Sequence, residues 1–304
     1  MSTTATEARH GKAEGLDMLE PAEILALLAS GQQAAAKVAD QAIPAIAKAA
    51  DLVAAALKSG GKVVYAGAGS AGLVAMADAM ELPGTYGIPP ERIVILFAGG
   101  VSTIADLPGG PEDDASLGER DADIVEAADC VICVSASGST PYTVAVAEAA
   151  KRRGAKLVAM ANNAGAKLFE GADAAILLET PSEVVAGSTR MGAATAQKIA
   201  FNMLSTLAAV KLGHVHDGHM VNLRADNGKL RIRAARMVAD IAGIGFDEAR
   251  AWVEASEGSV KVAVLLAAGA ADVEAAKALL ARSDDVLRIA LAELQASKSS
   301  MKRA

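Results

Sequence analysis

Val63-Val64-Tyr65-Ala66-Gly67-Ala68-Gly69-Ser70-Ala71-Gly72 sets a short apolar run against a G-x-G-x-x-G. A run of strand length that breaks into glycines predicts a strand, a tight turn and a helix start, with bare backbone at the carboxyl end of the strand for a ligand. A dinucleotide site needs one thing more, an acid about twenty residues on, at the end of the second strand, to hold the ribose hydroxyls. That strand ends Leu96-Phe97-Ala98-Gly99-Gly100 without a carboxylate, and Glu91 precedes it, at the wrong end of a parallel sheet. The motif therefore argues for some ligand other than a nicotinamide or flavin.

Outward from this stretch, RIVILFA, CVICVS, KLVAM and AAILL are apolar segments of strand length separated by helical ones. That alternation predicts an α/β fold, a parallel sheet with helices on both faces. Upstream, Pro21 to Leu57 keeps helical spacing until Gly60-Gly61 stops it. Downstream, PSEVVAGSTR leads into MGAATAQKIAFNMLSTLAAVKLG, a long helix with few charges on any face, which is expected to be buried, at a subunit interface, with Ser188 or Thr189 as its N-cap. Beyond Arg233, short amphipathic segments with glycine breaks predict an appended helical module, giving a division into 1–232 and 233–304.

Composition narrows the function. Of 304 residues, 52% are hydrophobic but only 3% aromatic, so small aliphatic side chains on closely packed helices must build the core. A net charge of -7 argues against a nucleic-acid or anionic-membrane surface. The polar start MSTTATEARHGKAEG has no apolar leader, and no later run reaches membrane-spanning length. These features predict a cytoplasmic protein with a small-molecule partner. Cys130 and Cys133 form a C-x-x-C inside a strand, where residues three apart point to opposite faces, so packing rather than redox or metal chemistry is expected.

In an open parallel sheet, ligands gather at the carboxyl ends of strands. After the third strand, Ser135-Ala136-Ser137-Gly138-Ser139-Thr140-Pro141 crowds hydroxyls round a glycine, with Thr140 placed to cap the next helix and Pro141 in its first turn. Hydroxyls and free N–H groups at a positive helix end suit a phosphate, although a small-residue capped turn has the same pattern. Glu81 is expected at the end of the helix after the glycine loop, because Leu82-Pro83 does not readily continue it, and a carboxylate there opposes the helix dipole. Glu112, just after Pro111, has the ordinary pattern of an acid at a helix start. His214, His216 and His219 cluster with Asp217, a spacing open to a metal but commoner in a polar turn.

Taken in order, GAGSAG, DAMELPGTYGIPPER, PEDDASLGERD, SASGSTPY, EVVAGSTRMGAATAQK and NGKLRIRA with GSVKVAV resemble the N-acetylmuramic acid 6-phosphate etherases, sugar-isomerase (SIS) domain proteins. The resemblance runs from Thr6-Glu7-Ala8-Arg9 through the last helices. It implies an SIS-type αβα sandwich with a UBA-like helical module at the carboxyl end. The implied activity is that of a cofactor-free, metal-free lyase, a homodimer, that removes D-lactate from C3 of a 6-phosphorylated amino sugar, or of a related sugar acid, and adds water in its place. By the same match Glu81 is the acid that protonates the leaving lactate and Glu112 the base at C2. Ser70, Ser135, Ser137, Ser139 and Thr140 fall in the substrate and phosphate loops. Ser188, Thr189, Arg190, Gln197 and Lys198 match a further pocket segment, the last three near one helical face by spacing. The chain departs from the family pattern where Ser70 replaces a threonine, Ala71 a serine, Leu73 and Ser139 arginines, and Gly192 a lysine, so cations and a hydroxyl expected near an anionic substrate are missing. Two other activities share the domain: a phosphosugar-binding regulator, against which retention of both glutamates argues, and an aldose–ketose isomerase, which needs no acid for a leaving group.

Overall fold

A computed structural model describes residues 6–103, 105–223, 225 and 227–301. Five parallel strands, β1 (Val63–Gly67), β2 (Ile93–Phe97), β3 (Cys130–Ser135), β4 (Lys156–Ala161) and β5 (Ala174–Leu177), lie in the order β2-β1-β3-β4-β5. The α/β class read from the alternation is therefore the observed one. This order reverses direction between β1 and β3, and the crevice at such a switch point is where open α/β sheets bind ligands.

The chain divides into two compact units, one of Met1–Met80 with Glu91–Leu207, the other of Glu81–Pro90 with Ala208–Ala304. The border expected after residue 232 thus falls inside the second unit. The first holds the sheet, with α1 (Pro21–Lys37), α2 (Ile43–Lys58), the start of α3 (Gly69–Tyr86), α4 (Ala115–Asp121), α5 (Pro141–Arg152) and most of α6 (Gly192–Lys211). Val64, Ala66, Val131, Cys133, Leu157 and Ala159 alternate along their strands to one face, where they pack with Tyr142, Val146 and Ala150 of α5. Tyr65 points to the other face, its ring 5.7 Å from that of Phe201 on α6. Cys130 and Cys133 are buried thiols, and burial pushes Cys130 up to about 12, so neither is a ready nucleophile.

Three local expectations change. The helical run from Pro21 to Leu57 is two α-helices separated by a 3₁₀ turn at Val38–Ala42. Glu81 does not end its helix, because α3 continues through Pro83 to Tyr86 and closes with Gly87 N donating to Pro83 O at 3.1 Å. Only the final residues of α3 follow the proline, so its missing N–H leaves one helical bond near an end unmade. Neither Ser188 nor Thr189 caps α6: it starts at Gly192, and the Gly192 and Ala193 amides donate to the buried Glu183 carboxylate at 2.9 and 2.8 Å. A carboxylate held by two amides at a positive helix end replaces the hydroxyl cap.

The second unit has its own core, in which Val221, Val238, Leu265 and Leu280 are buried among α7 (Gly228–Ala242), α8 (Phe246–Ala255), α9 (Val260–Ala267), α10 (Val273–Arg282) and α11 (Leu287–Met301). The histidine segment is a turn closed by His216 N donating to His219 O at 3.0 Å and His219 N to His216 O at 2.8 Å. Among the described residues no group of three or more His, Cys, Asp or Glu is arranged to hold a metal. No described helix is long and apolar enough to cross a membrane.

Candidate active site

At the carboxyl ends of β1 and β3 a cleft of about 210 Å³ opens, wholly within the first unit. The glycine motif shapes one wall. A Cβ on Gly72 would stand 2.7 Å from the Phe97 ring and 2.8 Å from the Gly67 carbonyl carbon, so the first turn of α3 lies directly against the end of β1 because both positions are glycine. This close approach brings Ala68, Gly69, Ser70 and Ala71 to the cleft. The G-x-G-x-x-G thus solves a packing problem common to anion sites, and Phe97-Ala98-Gly99-Gly100 places no ribose-binding acid at the end of β2.

The loop after β3 forms the opposite wall, and its hydroxyls are wired to one another. Ser135 Oγ lies 2.7 Å from Thr140 Oγ1 and 3.2 Å from Ser137 Oγ, and it accepts from Gly138 N at 3.0 Å. Ser139 donates to Ser137 Oγ through both its amide and its hydroxyl, each at 3.2 Å. Gly138 has φ +72°, and a Cβ there would overlap Ala166 Cβ at 2.2 Å, so the turn closes only with glycine. Thr140 stands at the N-cap position of α5 with Pro141 after it, as expected, but its hydroxyl turns to Ser135 rather than to a helix amide. The first turn of α5 therefore has no side-chain cap from Thr140.

Glu112 reaches the cleft from a 3₁₀ turn, Gly110–Asp113, with Pro111 at its start. The turn runs into α4, where Asp114 caps by accepting from Leu117 N at 3.0 Å. Helix α4 is held to α5 by Tyr142 donating to Asp121 Oδ2 at 2.7 Å. Glu112 Oε2 lies 3.6 Å from where a Cβ on Gly69 would stand, at the start of α3.

Of the residues marked in the sequence, the cleft brings together Ser70, Glu112, Ser135, Ser137, Thr140 and Thr189. Ser139, Ser188 and Arg190 lie outside its lining, and Arg190 precedes α6, so the helical face read for Arg190, Gln197 and Lys198 does not extend to it. Gln197 is fully buried and donates to Asn162 Oδ1 at 2.8 Å. Lys198 sits half-buried on α6 in the field of Asp78. Glu81 is an exposed residue of α3 assigned to the second unit.

Two features carried no assigned role in the sequence reading. Thr6, Glu7 and Gly187 also line the cleft. Outside its lining, Asp78 is 1% exposed and accepts from Tyr65 Oη at 2.9 Å and from Asn202 Nδ2 and Ser205 Oγ at 3.0 Å each. Burial pushes the Asp78 carboxyl up, against those three hydrogen bonds. No local signal marks Asp78, because its partners lie far away along the chain.

A cleft of hydroxyls and main-chain amides at a switch point, with the carboxylates of Glu7 and Glu112 in its lining, has the chemistry of a phosphosugar site. Comparison with known proteins agrees. A family model described as SIS domain matches residues 28–162. N-acetylmuramic acid 6-phosphate etherases align almost end to end: that of Deinococcus radiodurans is 42% identical, with 90% of this chain and 91% of the relative covered. The protein of that name from Streptomyces avermitilis is 41% identical, with 96% and 94% covered, and the one from Geobacillus thermodenitrificans 38%, with 94% and 98%. Relatedness of this extent covers the sheet, the cleft loops and the carboxyl-terminal helices together, and the chain belongs to the N-acetylmuramic acid 6-phosphate etherase family.

Proposed function

We propose that the protein is a carbon–oxygen lyase that cleaves the C3 D-lactyl ether of N-acetylmuramic acid 6-phosphate, yielding N-acetylglucosamine 6-phosphate and D-lactate. The observation that carries this reading is Glu112 on the rim of a cleft walled mainly by hydroxyls and main chain, with Glu7 as its second carboxylate, in a chain of that family. The sugar phosphate is taken by Ser135, Ser137 and Thr140 with the first-turn amides of α5, a cradle that works without the arginine missing at Ser139. Ser70 and Thr189 bind the sugar from the other walls, with Ser139, Ser188, Arg190, Gln197 and Lys198 as the remaining members of the substrate segments.

The chemistry follows from the substrate. An ether oxygen leaves poorly, and the C2 proton of a closed ring is barely acidic. Opening the ring puts an aldehyde beside C2, so that Glu112 takes the C2 proton and the electron pair is delocalised onto the aldehyde oxygen. As that pair returns, the C3–O bond breaks, and Glu81, to which the family match and not the lining of the cleft assigns the role, gives its proton to the lactate oxygen. Water then adds at C3 of the unsaturated aldehyde, and a proton returns to C2. Every bond broken is matched by a proton transfer, so two carboxyl groups in opposite protonation states suffice and no cofactor is used.

A homodimer accords with α6, whose faces carry few charges, and a cytoplasmic setting with a phosphorylated substrate. The test is incubation with N-acetylmuramic acid 6-phosphate in deuterated water. Lactate release with deuterium at C2 of the product is expected; intact, unlabelled substrate, or an isomeric sugar without lactate, overturns the reading.

A further inference from the structure

Glu7 is carried to the cleft by a segment tied down from beneath. Thr6 is only 1% exposed, and its hydroxyl accepts from Asn163 Nδ2 at 3.0 Å. The same amide donates to Ala136 O, also at 3.0 Å, and Asn163 is itself buried. A bond between buried groups 157 positions apart fixes the amino-terminal segment against the loops after β3 and β4. Thr6 and Glu7 line the same cleft as Glu112, Ser135 and Thr140, and Glu7 Oε2 lies 3.4 Å from where a Cβ on Gly187 would stand.

The charge of this lining is unusual for an anion site. Among the described residues its lining includes two carboxylates, Glu7 and Glu112, and no lysine, arginine or histidine. A cleft built only to hold phosphate gains nothing from a second carboxylate, which repels the ligand. A carboxylate accepts hydrogen bonds and never donates them, so its complement in a neutral part of the ligand is a hydroxyl or an amide N–H. Such charge-assisted bonds are the strong ones, and losing one costs about ten- to a hundredfold in affinity.

We propose that Glu7 is a substrate-binding residue that accepts hydrogen bonds from hydroxyl groups of the sugar, and that Asn163, through Thr6, is its positioning residue. The assignment rests on the phosphosugar reading of this cleft. It gives the site two ends: hydroxyls and amides for the phosphate, and a carboxylate for the uncharged sugar. A carboxylate that recognises the uncharged part of the ligand selects sugar phosphates over inorganic phosphate.

The experiment is calorimetric titration of the full chain with N-acetylglucosamine 6-phosphate and, separately, with inorganic phosphate. Glu7→Ala is expected to weaken sugar-phosphate binding about tenfold or more, one hydrogen bond to a charged acceptor, while inorganic phosphate binds as before or more tightly. Glu7→Gln, which keeps an acceptor oxygen, recovers part of the loss, and Asn163→Ala shifts affinity in the same direction as Glu7→Ala. In turnover, KM rises in Glu7→Ala while kcat stays within a few-fold. Unchanged sugar-phosphate affinity in Glu7→Ala, an equal loss for both ligands, or a collapse of kcat at constant KM each overturns the assignment. Failure of the unaltered chain to bind either ligand overturns the phosphosugar reading, and the Glu7 assignment with it; binding that Glu7→Ala does not alter removes Glu7 alone.

Discussion

In the proposed mechanism Glu112 is the residue on which the reaction turns, and it is also one the chain is expected to lose without unfolding. It is exposed on a 3₁₀ turn whose shape is set by Pro111 and by the Asp114 cap rather than by its own carboxylate. The isosteric change Glu112→Gln is therefore expected to remove the proposed base and leave the fold. Loss of a general base costs about 10²–10⁴ in rate. Lactate release from N-acetylmuramic acid 6-phosphate is expected to fall by that factor, and deuterium exchange at C2 to fall with it. Lactate release lost while C2 exchange continues at the original rate would assign proton abstraction elsewhere. The carboxylate looked ordinary in the sequence because an acid after a proline at a helix start has a structural use of its own; only its place on the cleft rim separates it from Asp113, its neighbour in the same turn.

At the scale of elements, the start of α6 depends on a residue outside it. Glu183 takes two of the first free amides of α6 into one buried carboxylate. Glu183→Ala leaves both amides buried without an acceptor and is expected to destabilise the protein by about 2–4 kcal/mol, with lost protection of the first-turn amides in hydrogen exchange. Unchanged melting and protection would mean that water replaces the carboxylate. Strands, their parallel sense and the switch point were legible because apolar period and glycine punctuation act over a few residues. The α6 cap was not: Ser188 and Thr189 have the right chemistry next to the helix, whereas Glu183 must fold back over nine positions to reach Gly192. Continuation of α3 past Pro83 escaped for a related reason, since the cost of a proline depends on how much helix follows it, and here little does. The same limit hid Thr6 and Glu7 as cleft residues, because the bond that seats them comes from Asn163, far along the chain.

At the scale of the whole molecule, each of the two units has its own buried core, and the second holds His214 and His216, imidazoles that burial makes harder for acid to charge. Burial, then the Lys261 ammonium, pushes His214 down to about 4, outweighing the opposite pulls of Asp285 and the Tyr86 carbonyl. Its Nδ1 is buried without a hydrogen-bond partner, and Lys261, 3% exposed, is itself held by the Asp285 carboxylate and by Asp285 O at 2.9 Å. An unfolded chain protonates this histidine near pH 6.5, whereas the folded one resists until about pH 4. The unfolded state thus binds more protons in that window, so the stabilisation is full above about pH 6.5 and is lost as pH falls toward 4, at most about 3 kcal/mol. Amides of α9, the helix that carries Lys261, are expected to lose exchange protection between pH 6.5 and 4.5, after correction for intrinsic rates, while those of β3 in the first unit hold theirs. His214→Gln, neutral throughout, flattens the dependence of α9. If α9 protection falls equally in that variant, the acid response comes from other groups, His216 or carboxylates, and the His214 imidazole is not its source.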